Sequence, residues 1–513
     1  MEHHSTPSSL FMFERRRDRA VDSSIMELEW KSSKLTAGED LMGENDDSSS
    51  ISSLSSKELL INQDFHASPL RFFVILFYCL LSFSQVVINN TWGPIADSVL
   101  FAFPEWKPNV ITLLANWNSL TVLVFIFPAV WFLNKKGLRF SFMVASGLSC
   151  AGAALRCLPV PSHIFVWLLH VCAVLNAVAG ILLGPSIVML SSLWFPPNER
   201  TTATGIGTAF SLLGIAGSYS LGPLIVHTEP SNPELNHLLK SFLHENVAET
   251  GCIDYLRSAI RREIKQYMFI CFGFEALLLI GTFLLFPEKP FNPCSRASCI
   301  SLVCKYSFKD SFRSIIRNRS IWALCISAGL STGMTVPWVS LLTITLSHRE
   351  IPQTAAARLG LWTIVSASAL GLSVSRFSDM FQGYLKHTIL AFLLTSALTF
   401  AGILWLFLTW DPAYQDKLML LILLGVSTSW STQALFYELG SEMAYPVPGG
   451  VIAGFMTWLS SLCTAIVYIF LYLCPTIDDS WLTLGAVMYN IAAFFVLLSV
   501  KVNYNRSAVD KKS

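Results

Sequence analysis

Residues 70–92 read LRFFVILFYCLLSFSQVVINNTW and contain one charged residue, Arg71. An α-helix rises about 1.5 Å per residue, so a run of this length crosses the roughly 30 Å hydrocarbon core of a bilayer. Comparable apolar runs recur up to residue 500 and predict twelve membrane-spanning helices. The predicted spans are 70–92, 109–133, 138–158, 162–190, 201–226, 266–287, 319–346, 355–375, 386–410, 417–437, 449–474 and 481–500.

The composition supports this all-α membrane fold. Hydrophobic residues make up 53% of the 513 residues and charged residues 13%, a balance that is too apolar for a soluble domain of this length. The formal net charge is +1, so the chain lacks the strong positive charge that would indicate nucleic acid as a partner. The twelve cysteines form no CxxC pair and no Cys/His cluster at the spacing of metal ligands. We therefore expect neither a metal nor a cofactor.

Composition also divides the chain into five parts. Residues 1–68 are rich in serine and charged residues, which predicts a disordered cytosolic tail. Lysine and arginine collect after spans two, six, eight and twelve, which places both termini in the cytosol. The predicted parts are the tail 1–68, a six-helix bundle 69–287, a basic cytosolic linker 288–318, a second six-helix bundle 319–500 and a cytosolic tail 501–513.

The segment 227–265 lies on the opposite side of the membrane and mixes basic with acidic residues. Its Ile253, Leu256 and Ile260 recur at helical spacing. This pattern predicts a short amphipathic helix lying in the membrane interface.

The two sets of six spans contain weak internal echoes. The first span ends in Trp92-Gly93-Pro94, and the seventh contains Val336-Pro337-Trp338. A charged turn follows span two at residues 134–139, and another follows span eight at residues 376–379. Such repetition predicts two bundles with pseudo-two-fold symmetry and a substrate site at their interface.

Several local strings resemble known transporters. The turn Asn134-Lys135-Lys136-Gly137-Leu138-Arg139 resembles the loop signature of the major facilitator superfamily, with Asn134 where an aspartate is usual. Within that superfamily the chain resembles the solute carrier 49 family from span one to span eleven. The strings that carry this resemblance are Asn90 to Ile95, Gly137 to Arg139, Leu155 to Pro159, Trp194-Phe195, Glu199 to Thr204, Phe436 to Leu439 with Glu442, and Tyr445 to Pro448. Gly449 stands where the family usually has an acid.

The resemblance implies a twelve-helix major facilitator transporter and not an enzyme. It favours proton-coupled export of pyridoxine from lysosomes, through a monomer whose partners are a small-molecule substrate, protons and the lipid bilayer. Two alternatives stay open: a facilitator of choline, ethanolamine or haem, as in another branch of the family and with the plasma membrane as its location, and a nutrient sensor that does not transport. No HExxH, GxSxG or cofactor fingerprint indicates an enzyme.

Aromatic and carboxamide side chains inside the spans are the candidate substrate ligands. The indole of Trp92 or Trp338 can stack on a pyridine ring or hold a cation, whereas packing or anchoring at the interface is the simpler role for each. Carboxamides within hydrocarbon need hydrogen-bond partners, which a substrate or a neighbouring helix can supply. The candidate substrate residues are Trp92, Asn90, Asn116, Asn118, Asn176, Trp338 and Gln433.

Two ionisable side chains inside the spans are candidates for proton coupling. Glu275 lies near the middle of span six, where an unpaired charge is costly. His170 lies in span four, and its reference pKa of about 6.5 falls between lysosomal and cytosolic pH. Structural pairing is the alternative for both residues.

A third set of polar residues lies at the cytosolic ends of the spans. Glu438 and Glu442 are one helical turn apart, and we expect them to pair with basic groups such as Arg376 or Lys386. These residues are predicted to gate the pathway and not to bind substrate. The full set of predicted gating residues is Asn134, Arg139, Glu199, Arg200, Arg376, Asp379, Glu438 and Glu442.

Overall fold

The fold was analysed in a computed structural model of the chain. It describes residues 65–511, with gaps at 107, 227–248, 304–306, 348, 350, 352, 382, 410 and 474–478. The predicted disordered tail therefore lies almost entirely outside the described residues.

Twelve of the described helices are long and apolar enough to cross a membrane, which confirms the predicted fold class. They are α1 Leu70–Asn89, α3 Pro108–Lys136, α4 Leu138–Arg156, α5 Ser162–Trp194, α6 Arg200–Ile225, α7 Glu249–Leu285, α10 Arg319–Gly333 with its continuation α11 Thr335–Ser340, α13 Gln353–Met380, α14 Leu385–Leu408, α15 Gln415–Ala444, α16 Gly449–Leu473 and α17 Asp479–Ser499. The shorter helices are α2 Ala96–Ala102, α8 Arg296–Val303, α9 Phe308–Arg317, α12 Leu342–Ser347 and α18 Asn505–Asp510.

The two bundles pair their helices in the same order. In the first bundle α1 packs on α6, α3 on α5 and α4 on α7; in the second, α10 packs on α16, α13 on α15 and α14 on α17. In each bundle a glycine lies where two of these paired helices approach closely. A Cβ on Gly214 of α6 would lie 2.8 Å from the carbonyl oxygen of Phe83, and a Cβ on Gly329 of α10 would lie 3.1 Å from the Cβ of Leu459. The repetition of pairings and close approaches gives the pseudo-two-fold arrangement.

The bundles meet mainly through α6 against α13 and through α3 and α5 against α16. The tightest points lie near the end of the molecule where α1 begins and α17 ends, which we call the terminal face. There, a Cβ on Gly205 would come within 2.6 Å of the Cβ of Ser375, and a Cβ on Gly454 within 2.5 Å of Val130 Cγ2. The two halves are therefore closely packed at the terminal face.

The expected interfacial helix around residue 256 is not separate, so this prediction was wrong. Residues 249–285 form one continuous helix, α7, that extends span six beyond the predicted boundary. Leu256 and Ile260 are buried in an apolar cluster with Val99 and Phe103, and Arg261 donates a hydrogen bond to the carbonyl oxygen of Ala102 at 2.8 Å. The apolar stripe that contains Leu256 and Ile260 therefore packs on protein, and this contact stabilises the N-terminal extension of α7.

Candidate functional site

The C-terminal helix, α18, lies at the terminal face and makes buried ion pairs there. Arg506 of α18 is buried, and its guanidinium donates to Glu438 Oε2 at 2.6 Å and to Glu442 Oε1 at 2.9 Å. Burial by itself lowers the pKa of Arg506, but the two carboxylates outweigh this effect and raise it. Ser507 N–H donates to the second oxygen of Glu442. One end of α18 is therefore bound to α15 of the second bundle.

The other end of α18 is bound to the first bundle. Asp510 accepts a hydrogen bond from the Arg200 guanidinium at 2.8 Å and another from the backbone N–H of Ala297 at 2.8 Å. Arg200 is itself 2% exposed and also donates to Ser295. Helix α18 thus joins the two bundles, and we call it the C-terminal strap.

Two carboxylates of the second bundle, Asp379 and Glu438, also bond directly to the first bundle. Asp379 of α13 accepts from the backbone N–H groups of Thr201 at 3.0 Å and Thr202 at 2.7 Å, so it caps the N-terminus of α6. Glu438 accepts from the hydroxyls of Thr204 at 2.7 Å and Ser191 at 3.2 Å. These contacts bury charge at the junction of the two halves.

The remaining predicted gating residues lie at the same face but outside this network. Glu199 forms an ion pair with Arg71 at 3.2 Å, and Arg376 is exposed. Asn134 and Arg139 line a cavity on the surface of the terminal face. The expected partners Arg376 and Lys386 are not the ones that Glu438 and Glu442 contact. Lys386 donates to backbone carbonyl oxygens at Leu498 and Val500 instead, and the Arg506 guanidinium is the cationic partner of the two carboxylates.

Inside the first bundle the polar residues form a buried core. Asn176 donates to the carbonyl oxygen of Gln85 and accepts from Ser149, and Gln85 donates back to the carbonyl oxygen of Asn176. The Asn176 side chain is therefore used in holding α1, α4 and α5 together. Glu275 is 1% exposed and accepts a hydrogen bond from Ser84 Oγ at 2.6 Å. This places a buried carboxyl group next to α1.

His170 lies further from the centre of the bundle. Trp117 donates its indole N–H to His170 Nδ1 at 2.9 Å, and the neighbouring Trp167 is 74% exposed. Asn116 and Asn118 are half-buried on either side of Trp117. Asn90 is half-buried and donates to the carbonyl oxygen of Val86.

The structure does not bring Trp92 and Trp338 together. Trp92 is 2% exposed, packs edge-on against Trp106, and has the Arg156 guanidinium 5.6 Å from its ring centre. Trp338 belongs to a different apolar cluster, donates to Thr483 at 3.1 Å and packs on Phe400. Neither indole presents a free face to a common cavity.

Gln433 is the predicted substrate residue that does line a cavity inside the second bundle. This cavity has a volume of about 70 Å³. Gln433 donates to Tyr437 Oη at 3.1 Å, Tyr437 Oη shares a hydrogen bond with Thr457 at 3.1 Å, and Thr332 shares one with Ser460 at 2.6 Å. The residues that line it are Ala328, Ser331, Thr332, Gln433, Phe436, Tyr437, Met456, Thr457, Ser460 and Ser461.

Sequence reasoning missed Arg156, Arg506 and Asp510. Arg156 is 4% exposed and donates to Thr91, to Cys172 Sγ and to the carbonyl oxygen of Ile88. In the sequence it lies near the end of predicted span three, within the string Leu155 to Pro159 that carries the family resemblance, and no role was predicted for it. Arg506 and Asp510 are four residues apart and share a helix face, a signal that was available within the basic tail.

Twelve helices that are apolar and long enough to span a membrane, arranged in two related bundles, have the architecture of the major facilitator fold. The family model of the Major Facilitator Superfamily matches residues 60–468. Among curated relatives, the Solute carrier family 49 member 4 homolog of Xenopus tropicalis is 31% identical over 422 residues, which cover 80% of this chain and 87% of that protein. The Choline/ethanolamine transporter FLVCR1 of Felis catus is 27% identical, with 74% of this chain and 64% of that protein covered.

Solved structures show the same fold. The transporter FucP of E. coli, in the outward conformation, matches with a TM-score of 0.62 at 13% identity, covering 84% of this chain and 99% of that chain. The proton:xylose symporter XylE matches with a TM-score of 0.57 at 13% identity, covering 87% and 100%. The chain belongs to the Major Facilitator Superfamily and, within it, to solute carrier family 49.

Proposed function

We propose that this transporter exports pyridoxine, or a closely similar neutral ring compound, from lysosomes in a proton-coupled cycle, acting as a monomer. The observation that carries the choice of substrate is the cavity around Gln433. Its lining offers an amide, a phenol and several hydroxyls beside Phe436, and no charged side chain among the described residues contributes to it. A pyridine ring that bears hydroxyl groups suits the chemistry of such a lining, because its polar atoms find partners there. At about 70 Å³ the cavity is smaller than the usual ligand site, so it has to widen during the transport cycle to admit the ring.

A choline-like cation is the second candidate, since several relatives are named choline/ethanolamine transporters. A quaternary ammonium group needs free aromatic faces or a carboxylate. The face of Trp92 is already next to the Arg156 guanidinium, and Trp338 is enclosed against Phe400. These contacts favour the neutral substrate.

For proton coupling we propose Glu275 in preference to His170. Glu275 is buried and bonds to Ser84 of α1, and the same helix bears Ser82, which shares a hydrogen bond with Ser211 of α6 at 2.5 Å. Helix α1 thus connects the carboxyl group with the helix that contacts the second bundle. A proton on Glu275 changes the charge inside this bundle and can bias the movement of the two halves.

For gating we propose that the C-terminal strap, Asp379 and Glu438 hold the terminal face closed, and that the cycle requires these contacts to break. Asn134, Arg139, Glu199 and Arg376 form the surrounding polar surface. The distribution of lysine and arginine assigns the terminal face to the cytosol. We propose that substrate enters from the organelle lumen while the terminal face is closed.

The deciding experiment is uptake of radiolabelled pyridoxine, with choline in parallel, by cells routed to display the protein at the plasma membrane, at an external pH of about 5.5 and of about 7.5. We expect saturable pyridoxine uptake that is faster at the acidic pH. Gln433→Ala should raise KM about tenfold, because it removes the amide that we propose as a partner of the substrate and one of the two hydrogen bonds of Tyr437 Oη. Uptake of choline but not of pyridoxine, at a rate independent of pH, would overturn the proposal and support the second candidate function. Saturable binding of pyridoxine without flux would indicate a sensor.

A further inference from the structure

A second and larger cavity lies on the terminal face, outside the substrate pathway proposed above. Its volume is about 550 Å³, which is within the range of ligand sites. It is bounded by the turn between α3 and α4, by the residues that follow α7, and by the loop Tyr445–Gly449 between α15 and α16. Both bundles therefore contribute to its wall.

The charge of this cavity is strongly positive. Lys135, Lys136, Arg139 and Lys289 line it, against the single acid Glu288. Within the part of the chain that the structure describes, these four cations form no ion pair. Gly449 also lines the cavity and contributes no side chain, so it adds no negative charge to the wall. An anion with several charges is the ligand that such a lining favours.

The rim of the cavity is apolar and faces away from the protein. Phe140, Phe283 and Leu284 are exposed, and Phe291, two residues beyond Lys289, is 91% exposed. Lys136 Nζ lies 5.5 Å from the ring centre of Phe140, and Arg139 donates to the carbonyl oxygen of Phe283 at 3.2 Å. Charged groups next to exposed aromatic and aliphatic side chains at the end of a membrane span fit an amphiphile better than a soluble anion.

We infer that this cavity binds the headgroup of an anionic phospholipid that carries phosphomonoester groups, with the acyl chains along the exposed side chains of α4 and α7. Arg506 also lines the cavity, so a bound headgroup contacts the C-terminal strap. The lipid would therefore occupy a site that touches both bundles and the strap at once.

The test uses the purified full-length chain in detergent and measures binding of dioctanoyl phosphatidylinositol bisphosphate by microscale thermophoresis. Dioctanoyl phosphatidylcholine and free inositol trisphosphate are the comparison ligands. We expect saturable binding of the bisphosphate lipid, much weaker binding of the soluble headgroup and none of phosphatidylcholine. The triple variant Lys135→Gln, Lys136→Gln, Lys289→Gln should bind about 10-fold to 100-fold more weakly.

The matched control is Arg313→Gln, Arg317→Gln, Arg319→Gln, which removes three exposed cations from the same face but outside this cavity. It should bind like wild type, and Lys→Arg substitutions at 135, 136 and 289 should retain binding. The site would be overturned if both triple variants lost affinity equally, or if the variant at 135, 136 and 289 bound the lipid like wild type. Equal affinity for free inositol trisphosphate would overturn the assignment of the site to a lipid. Thermal unfolding of each variant separates a local loss from misfolding.

Discussion

At the scale of single residues, Trp92 shows how a side chain that suits a ligand can serve packing instead. Its indole is enclosed by Trp106 and by the Arg156 guanidinium in an apolar cluster of the first bundle. Because that cluster joins α2, α5 and α7, its integrity holds one end of the bundle together. The structure therefore gives Trp92 a structural role, whereas Gln433 lines a cavity.

Trp92→Ala should destabilise the protein by about 3 to 5 kcal/mol, the usual effect of removing a buried aromatic ring. We expect a lower midpoint of thermal unfolding in detergent and less protein at the membrane. The KM of the surviving transporter should stay close to that of wild type. A raised KM at unchanged stability would instead return Trp92 to the substrate site. The exposed Trp167 is the matched control, and Trp167→Ala should leave both quantities unchanged.

Glu275→Gln should flatten the dependence of uptake on external pH, because glutamine keeps the hydrogen bond with Ser84 but cannot exchange a proton. Uptake measured between about pH 5 and about pH 8 gives the profile. Asp97→Asn, which removes an exposed acid, is the control and should retain the wild-type profile. If Glu275→Gln keeps the acid stimulation, another group, with His170 as the first to test, couples the proton.

At the scale of elements, the C-terminal strap is six residues long but contacts both bundles through ion pairs. Breaking a buried ion pair from one side leaves an uncompensated charge and costs about 3 to 5 kcal/mol. In a transporter that cost falls only on the conformation in which the pair exists. The strap should therefore affect the balance between conformations.

Arg506→Gln should open the terminal face, since the C-terminal strap would lose its ion pairs with Glu438 and Glu442 of α15 and would no longer tie that helix to the first bundle. Electron paramagnetic resonance distances between spin labels at Asn198 and His387, which are exposed on the two halves, report the change. We expect a new population at longer distance. Lys511→Gln removes an exposed charge just beyond the strap and should leave the distribution unchanged. An unchanged distribution in Arg506→Gln would show that the strap does not hold this face closed.

At the scale of the whole molecule, the closed terminal face depends on glycines that let the two bundles touch. Gly205→Val adds a side chain where even a Cβ would lie 2.6 Å from the Cβ of Ser375 on the other bundle. The variant should populate conformations in which this face is open and should transport more slowly. The same spin-label distances measure the shift, and Gly147→Val, at a position with nothing within 4 Å of an added Cβ, is the control. Wild-type distances in Gly205→Val would mean that the interface can absorb the added methyl groups.

The amino-acid pattern alone predicts the fold class and the approximate bounds of eleven spans, because a bilayer requires about 20 apolar residues per crossing and this signal is local. It missed the extension of α7, because the stripe of Leu256 and Ile260 looks the same whether it faces lipid or protein. It also selected Glu438 and Glu442 from their shared helix face, but it did not find their partner.

Which polar groups meet is visible only in the folded protein. Arg506 is 64 residues from Glu442 and 68 from Glu438, and Arg200 is 310 from Asp510, so no local pattern relates them. The same holds for Trp92, whose role depends on Arg156 and Trp106 reaching it from other segments. Hydrophobicity acts on each segment separately and is readable from the chain, whereas hydrogen bonds and ion pairs act over a few ångströms and exist only where the fold brings the partners together.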